Sequence, residues 1–176
     1  MKADEVAAAY NGESTPWKYA DAGAEEVSNG TFADTSAWTL HQGTNATASI
    51  SGGTLNVSNS SSSTAFTGAS QVLTTTTDRI YKLTFDVNVS SGAMYLKDNT
   101  SGASTTFYTD GALTFSAGTS PTIQTTSGSV TKTYYFKAPT VNPTLLFSRS
   151  TINGNTISFT VDNASVVAVG EVAAYT

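Results

Sequence analysis

The clearest pattern in the chain is the alternation of apolar and polar side chains in Ile80-Tyr81-Lys82-Leu83-Thr84-Phe85-Asp86-Val87-Asn88-Val89. Successive side chains of a β-strand point to opposite faces, so the apolar residues of this stretch share one face and the polar residues share the other. The stretch therefore predicts a strand with one face packed against a core and the other face in water.

The same pattern recurs along most of the chain. Residues 130–137 and 156–161 alternate as clearly, and weaker strand candidates are residues 37–42, 46–50, 55–58, 70–75, 93–97, 105–108, 144–147 and 165–169. Gly, Ser, Asn and Asp separate these stretches, and about ten short strands at such spacing are typical of two packed antiparallel sheets. We therefore predict an all-β fold, a β-sandwich of two antiparallel sheets, with Trp38 in its core.

The composition excludes several classes of function. The 176 residues include 8 Lys and Arg against 13 Asp and Glu, a formal net charge of −5, and only 12% of the residues are charged. So few basic residues do not supply the surface that binding to nucleic acid or to an anionic membrane requires. No apolar run is long enough for membrane insertion. The chain has no cysteine, and its single histidine, His41, is interpreted as an ordinary strand residue.

The chain divides into a short head and a long body. In the head, residues 1–24, an alanine-rich stretch at residues 3–10 predicts a short N-terminal helix that leads into a polar connector. Residues 25–170 form the predicted sandwich, and residues 171–176 are interpreted as a linker to a following module. We therefore expect one main domain with connecting segments at both ends.

The order of motifs along the body resembles the jelly-roll carbohydrate-binding modules of families 4, 9 and 22. The opening turn reads Glu26-Val27-Ser28-Asn29-Gly30-Thr31-Phe32, followed by Trp38. The strands that follow read Gly53-Thr54-Leu55-Asn56-Val57, Tyr81-Lys82-Leu83-Thr84-Phe85, Tyr134-Tyr135-Phe136-Lys137-Ala138, Thr144-Leu145-Leu146-Phe147 and Phe159-Thr160-Val161-Asp162-Asn163-Ala164-Ser165-Val166. The resemblance implies a jelly roll and a polysaccharide or surface glycan as the partner.

The head carries a second resemblance. The phrase Ala3-Asp4-Glu5-Val6-Ala7-Ala8-Ala9-Tyr10-Asn11-Gly12 is similar to the closing helix of laminin-G or concanavalin-like domains. Strings of such domains are similar to bacteriophage tail and other virion surface proteins, and to secreted multimodular proteins. This resemblance implies flanking modules of a longer chain and a location outside the cell or on a virion. The alternative is a coincidental alanine-rich helix.

The outward face of the predicted strands supplies candidates for binding a sugar. Aromatic rings stack on the apolar faces of sugars, and planar polar groups bond to their hydroxyls. Tyr135 is the first aromatic candidate and Tyr108 the second, because adjacent aromatic residues on a strand face opposite sides. The polar candidates are Lys82, Asp86, Asn88, Arg149 and Gln71.

The same resemblance implies a structural calcium ion. In those families the ion joins the opening turn to the last strand, and the matching oxygen ligands here are Asn29, Asp34 and Asp162. Calcium takes six to eight oxygen ligands, which carboxylates and backbone carbonyls at a turn supply. A turn or strand-end aspartate that bonds to nearby backbone is the alternative for Asp162.

No constellation in the sequence predicts an enzyme. Glycoside hydrolysis needs two carboxylates flanking one bond, yet every glutamate lies at or outside the edges of the predicted sandwich. No nucleophile elbow or phosphate loop is present either. Two functions remain open: a non-catalytic glycan-binding module, or a structural or adhesion spacer of a virion fibre or cell-surface protein. In the second case the terminal segments would mediate self-assembly into a homo-oligomer.

Overall fold

A computed structural model describes residues 23–59, 67–100, 105–149 and 156–169. These ranges contain twelve β-strands and no helix: β1 Thr39–His41, β2 Ala46–Ser51, β3 Thr54–Asn59, β4 Gly68–Val72, β5 Ile80–Ser91, β6 Ala93–Asp98, β7 Phe107–Tyr108, β8 Ser116–Gly118, β9 Thr122–Gln124, β10 Val130–Lys137, β11 Thr144–Arg149 and β12 Ile157–Ala168. The all-β prediction is confirmed. The predicted helix at 3–10 and the predicted linker at 171–176 lie outside the described residues.

The strands form two sheets in which every neighbouring pair is antiparallel. One sheet has five strands in the order β1-β4-β11-β6-β9, and the other has seven in the order β2-β3-β12-β5-β10-β7-β8. The long strands β5 and β12 pair at the middle of the seven-stranded sheet, with register shifts between Ser158 and Phe159 and between Asp162 and Ser165. The described ranges contain no helix that could span a membrane.

The core lies between the two sheets. Phe85 of β5 and Phe147 of β11 meet across it with ring centroids 5.0 Å apart, and Trp38 packs 5.9 Å from Phe147. Trp38 is 5% exposed, so its predicted place in the core is confirmed. Tyr134 of β10 stacks on Phe85 from the side. Aromatic residues from both sheets therefore hold the layers together.

Strand β5 has the alternation that its sequence predicts, since its apolar side chains face the core and its polar side chains are half-exposed. Two predicted strands, 156–161 and 165–169, are one continuous strand, β12. The three-residue strands β8 and β9 were not predicted, because three residues are too few to show alternation.

The segment before β1 is fastened to β12 by a carboxylate. Glu25 Oε1 accepts the Val166 N–H at 2.6 Å, and Oε2 accepts the Ser165 hydroxyl at 2.5 Å. Further along, Ala164 N–H donates to the Gly30 carbonyl at 2.9 Å. We call the contacts of Glu25 with Ser165 and Val166 the Glu25 clasp. It joins residues that are 140 and 141 positions apart in sequence and closes one end of the sandwich.

Candidate functional site

Five of the seven predicted ligand-binding residues share one surface. Lys82, Asp86 and Asn88 alternate with the core residues of β5, so they point out of the seven-stranded sheet. Tyr135 of β10 lies directly opposite Lys82 on one side and Tyr108 of β7 on the other. The three side chains form a row across the strands, with both tyrosines half-buried.

The acidic part of this face is held by its own neighbours. Asp86 accepts the Thr131 hydroxyl at 2.5 Å and the Asn163 amide at 2.9 Å. These two bonds favour the ionised carboxylate and hold the pKa of Asp86 below its ordinary value. The side-chain oxygen of Asn88 accepts the Thr126 hydroxyl at 3.4 Å. Both residues are thus engaged in the sheet surface.

Gln71 and Arg149 do not belong to that face, and the expectation that they point the same way is wrong. Both lie in the five-stranded sheet, in β4 and β11, and they are 8% and 7% exposed. The Gln71 amide donates to the carbonyls of Ser28 and Ala37 at 2.8 and 2.9 Å, which ties the opening turn to the sheet. Arg149 follows the inward alternation of β11, because Phe147 belongs to the core.

The three residues expected to bind calcium, Asn29, Asp34 and Asp162, make hydrogen bonds within their own turns. Asn29 turns its amide nitrogen, rather than its oxygen, toward the Asp34 carboxylate at 3.1 Å. Hydrogen bonds from Ser36 to Asp34 lower the pKa of that carboxyl. Asp162 instead accepts the N–H of Asn163 at 2.6 Å. Asp162 thus makes the kind of bond to nearby backbone that the alternative to calcium binding describes.

Within the described ranges, no three His, Cys, Asp or Glu residues stand together as a metal site. The connection between the opening turn and the last strand is made directly by the Glu25 clasp and the Gly30 carbonyl. Calcium stays a prediction from the resemblance, tested below.

The middle of the outer face of the five-stranded sheet is shielded from water, and the sequence analysis did not predict this. Ser70, Leu146 and Ser148 alternate with the inward residues of β4 and β11, so they face away from the core. They are nevertheless only 6%, 0% and 2% exposed, and Leu146 lies outside the main core cluster. Outward side chains in the middle of an open, flat sheet face would be accessible. The buried ones here are therefore shielded from water, and Leu146 has no exposed surface at all.

The register of the strands shows which residues flank the shielded ones. His41 of β1 is opposite Gly68, Gly68 is opposite Ser148, and Ser148 is opposite Tyr95 of β6. A glycine and a serine thus lie between two large rings, whose strands are about 14 Å apart at three strand spacings. We call this part of the outer face the trough: it consists of the shielded residues Gly68, Ser70, Leu146 and Ser148, with the half-exposed His41 and Tyr95 as its walls.

The walls carry groups that bind neutral polar ligands. His41 Nε2 lies 2.8 Å from the Ser70 hydroxyl, and burial lowers the pKa of His41, which favours the neutral imidazole. Tyr95 is half-buried, and the ammonium of Lys97 sits 5.5 Å from the centre of its ring. This cation–π contact holds the Tyr95 ring in place.

Among the described residues, two cavities at the sheet surfaces bear on ligand binding. One of about 390 Å³ is at the β1 and β4 side of the trough, lined by Ser28, Ala37, Thr39, Ser70, Gln71 and Val72. The other, of about 330 Å³, lies beside Tyr108 at the end of β10, and its lining includes Asp78, Thr106 and Lys137. Both volumes fall at the lower end of the range of small-ligand sites.

A sequence signal for Tyr95 existed. In the weak strand candidate 93–97, Met94 and Leu96 alternate with Tyr95 and Lys97, which predicts an outward tyrosine. The sequence did not show that β6 lies three strands from His41. The position of β6 relative to His41 depends on the strand order, and the sequence around Tyr95 does not indicate that order.

No family model matches the sequence, and no curated protein matches it. Solved structures do. A family 4 carbohydrate-binding module is 15% identical with a TM-score of 0.55, covering 81% of this chain and 99% of its own. The CBM22-1 xylan-binding domain of Xyn10C from Paenibacillus barcinonensis is 16% identical with a TM-score of 0.54, covering 86% and 99%.

A third similar structure is the enzymatically active domain of tailspike protein 4 from bacteriophage CBA120, at 17% identity and a TM-score of 0.55. The match covers 82% of this chain but only 21% of the tailspike, so it concerns one part of that protein. At such low identities the likeness concerns the fold alone. The chain is therefore a jelly-roll β-sandwich with the fold of carbohydrate-binding modules.

Proposed function

We propose that this domain is a non-catalytic carbohydrate-binding module that holds a polysaccharide in the trough. One observation carries the proposal: Tyr95 presents a half-exposed ring on the outer face of the five-stranded sheet, where Thr122 and Gln124 of the neighbouring strand are exposed. Sugar sites combine an accessible aromatic ring with polar groups around it, and these side chains meet that description.

The chemistry of this face suits a neutral sugar. Its outward positions carry hydroxyl, amide, imidazole, aromatic and apolar groups, and Lys97 is the one charged residue among them. These positions are Thr39, His41, Ser70, Val72, Ala93, Tyr95, Lys97, Thr122, Gln124, Thr144, Leu146 and Ser148. The Tyr95 ring would stack on the apolar side of a sugar ring. Hydroxyls and the Gln124 amide would bond to its hydroxyl groups, at a low desolvation cost because no ion has to be stripped of water.

Binding without hydrolysis agrees with the absence of carboxylates from those positions. A glycosidase needs an acid and a second carboxylate within about 5 to 10 Å of each other around the bond. In the described part of the five-stranded sheet, the one carboxylate is Asp98, which alternates inward and accepts hydrogen bonds from Thr100, Thr105 and Thr144. It serves the fold at the end of the sandwich.

The similar structures support the class of ligand. They include the xylan-binding domain and a family 29 module complexed with mannohexaose, which has a TM-score of 0.51. The likeness to part of a tailspike supports a place on a virion or outside a cell, and it also favours the second candidate, a structural module of a longer fibre. In that case the trough binds no glycan.

Affinity electrophoresis in gels containing mixed-linkage β-glucan, xylan, β-mannan or bacterial surface polysaccharide tests the proposal. We expect at least one of them to retard the wild-type domain. The Tyr95→Ala variant should be retarded less than the wild type, while Tyr95→Phe, which keeps the ring, should be retarded as much. If no polysaccharide retards the wild-type domain, glycan binding is refuted and the structural module remains as the function.

A further inference from the structure

The seven-stranded sheet, on the opposite side of the molecule from the trough, carries a second pair of aromatic groups. Tyr108 and Tyr135 are directly opposite each other on neighbouring strands and face the same way. Side chains in such a pair are about 5 Å apart at their Cβ atoms, so the two rings leave the same face of the sheet side by side. We call this surface the tyrosine pair.

The tyrosine pair is held in place by the loop between β7 and β8. A side chain built at Gly111 would lie 3.4 Å from the edge of the Tyr135 ring, so the Gly111 backbone itself packs beside that ring. Asp110 fixes this loop, because its carboxylate accepts the N–H groups of Phe115 and Thr114 at 2.8 and 3.1 Å. The same bonds lower the pKa of Asp110. The aromatic surface is thus preorganised.

Polar groups stand at the rim of the pair. The cavity of about 330 Å³ begins at Tyr108 and extends along Thr106 to Lys137. The Lys137 ammonium forms an ion pair with Asp78 Oδ1 at 2.6 Å, and the two side chains are 55% and 73% exposed. An exposed ion pair contributes little to stability. It presents a donor and an acceptor side by side, which is what the adjacent hydroxyls of a sugar require.

We propose that the tyrosine pair and this cavity form a second carbohydrate-binding site, independent of the trough. The ligand is a sugar unit of a polysaccharide, stacked on Tyr135 and Tyr108 and bonded to Asp78 and Lys137. The proposal takes only the class of ligand from the proposed function, because no residue is shared between the two sites.

The two sites face opposite ways, since each lies on the outer side of its own sheet. Packed sheets are about 10 Å apart, and the core fills the space between them. One straight polysaccharide chain therefore does not lie on both sites at once. A domain with two such sites joins two different chains, so the inferred activity is the cross-linking of polysaccharide.

The experiment measures binding and cross-linking separately. Affinity electrophoresis reports binding, and light scattering of the same dissolved polysaccharide, chosen as the one that retards the wild type most, reports cross-linking. The variants are Tyr95→Ala, Tyr108→Ala with Tyr135→Ala, and Lys137→Ala, which removes a rim contact without touching the core. Thr133→Ala, on the same strand and face as Tyr135, is the matched control. A thermal melt of each variant confirms folding.

We expect the wild type and Thr133→Ala to raise the scattering. Tyr95→Ala and the double tyrosine variant should each still be retarded, but less, and each should lose the scattering signal. Lys137→Ala should weaken cross-linking more than retardation. Calorimetry with a short oligosaccharide should give two sites per wild-type chain and one per variant.

The outcomes separate the two proposals. If the double tyrosine variant and the Lys137→Ala variant both bind and cross-link like the wild type, the second site is overturned and the trough is not affected. Loss of all binding in the double tyrosine variant, with none lost in Tyr95→Ala, supports the tyrosine pair and overturns the trough. A wild type that no polysaccharide retards overturns both.

Discussion

Replacing Glu25 with glutamine tests whether one exposed carboxylate holds the opening segment to the last strand. The carboxylate accepts three hydrogen bonds, from the N–H groups of Val27 and Val166 and from the Ser165 hydroxyl. Glutamine keeps one acceptor oxygen, but its amide nitrogen donates, so at least one of these donors loses its partner. The Glu25→Gln variant should therefore be less stable than the wild type.

The size of the effect follows from those contacts. Hydrogen bonds to a charged group contribute about 1.5 to 3 kcal/mol where they are shielded from water. Because Glu25 is exposed and its bond to Val166 is only partly buried, we expect a loss of about 1 to 2 kcal/mol. For a domain of this size, such a loss lowers Tm by about 2 to 8 °C.

Differential scanning calorimetry measures this shift, and the neighbouring glutamate is the control. Burial and the charge of Glu25 raise the pKa of Glu26, so the folded state disfavours its ionised form. Glu26→Gln should therefore leave Tm unchanged or raise it. Equal melting temperatures for Glu25→Gln and the wild type would refute the clasp as a source of stability, and an equal drop in both variants would point to net charge instead.

The other predictions concern acid and metal. Because hydrogen bonds from Thr131 and Asn163 hold the pKa of Asp86 below its ordinary value, the stability it contributes is present above that value, about pH 4, and is lost as pH falls through the folded pKa. Melts at pH 6 and pH 3 should therefore show a smaller drop for Asp86→Asn than for the wild type, and equal drops would contradict this account. If calcium joins the opening turn to the last strand, EDTA should lower Tm and added calcium should restore it; an unchanged Tm would overturn the calcium expectation.

The fold was predictable because it depends on local periodicity. The ten-residue alternation around Phe85 requires one buried face and one wet face, and β5 has both. Strand β12 shows where the local signal ends. A register shift between Asp162 and Ser165 interrupts the alternation, so the sequence indicated two strands where the chain has one.

The candidate site was only partly predictable, because it depends on which strands are neighbours. The sequence correctly assigned Lys82 and Tyr135 to outward positions. The two residues lie side by side because β5 pairs with β10, which the sequence did not show. Gln71 has an equally polar side chain, but its sheet position sends the amide to the backbone of the opening turn. Tyr95 and His41 are separated by 54 residues, and only the strand order makes them opposite walls.

The Glu25 clasp and the trough are joined by a continuous set of contacts. Gln71 accepts the Ser28 N–H at 2.7 Å and donates to the Ala37 carbonyl at 2.9 Å. Strand β1 begins two residues after Ala37 and carries the His41 wall. The clasp thus fixes the opening turn to β12, and Gln71 fixes it to β4. Strand β1 comes directly after this turn in the chain.

Loosening the clasp should therefore shift the His41 wall without removing any group that would touch a sugar. We expect Glu25→Gln to weaken retardation by polysaccharide at temperatures well below its Tm, while Glu26→Gln binds like the wild type. If Glu25→Gln binds normally, then the Gln71 amide and the pairing of β1 with β4 position His41 without the clasp, and Gln71→Leu becomes the next variant to test.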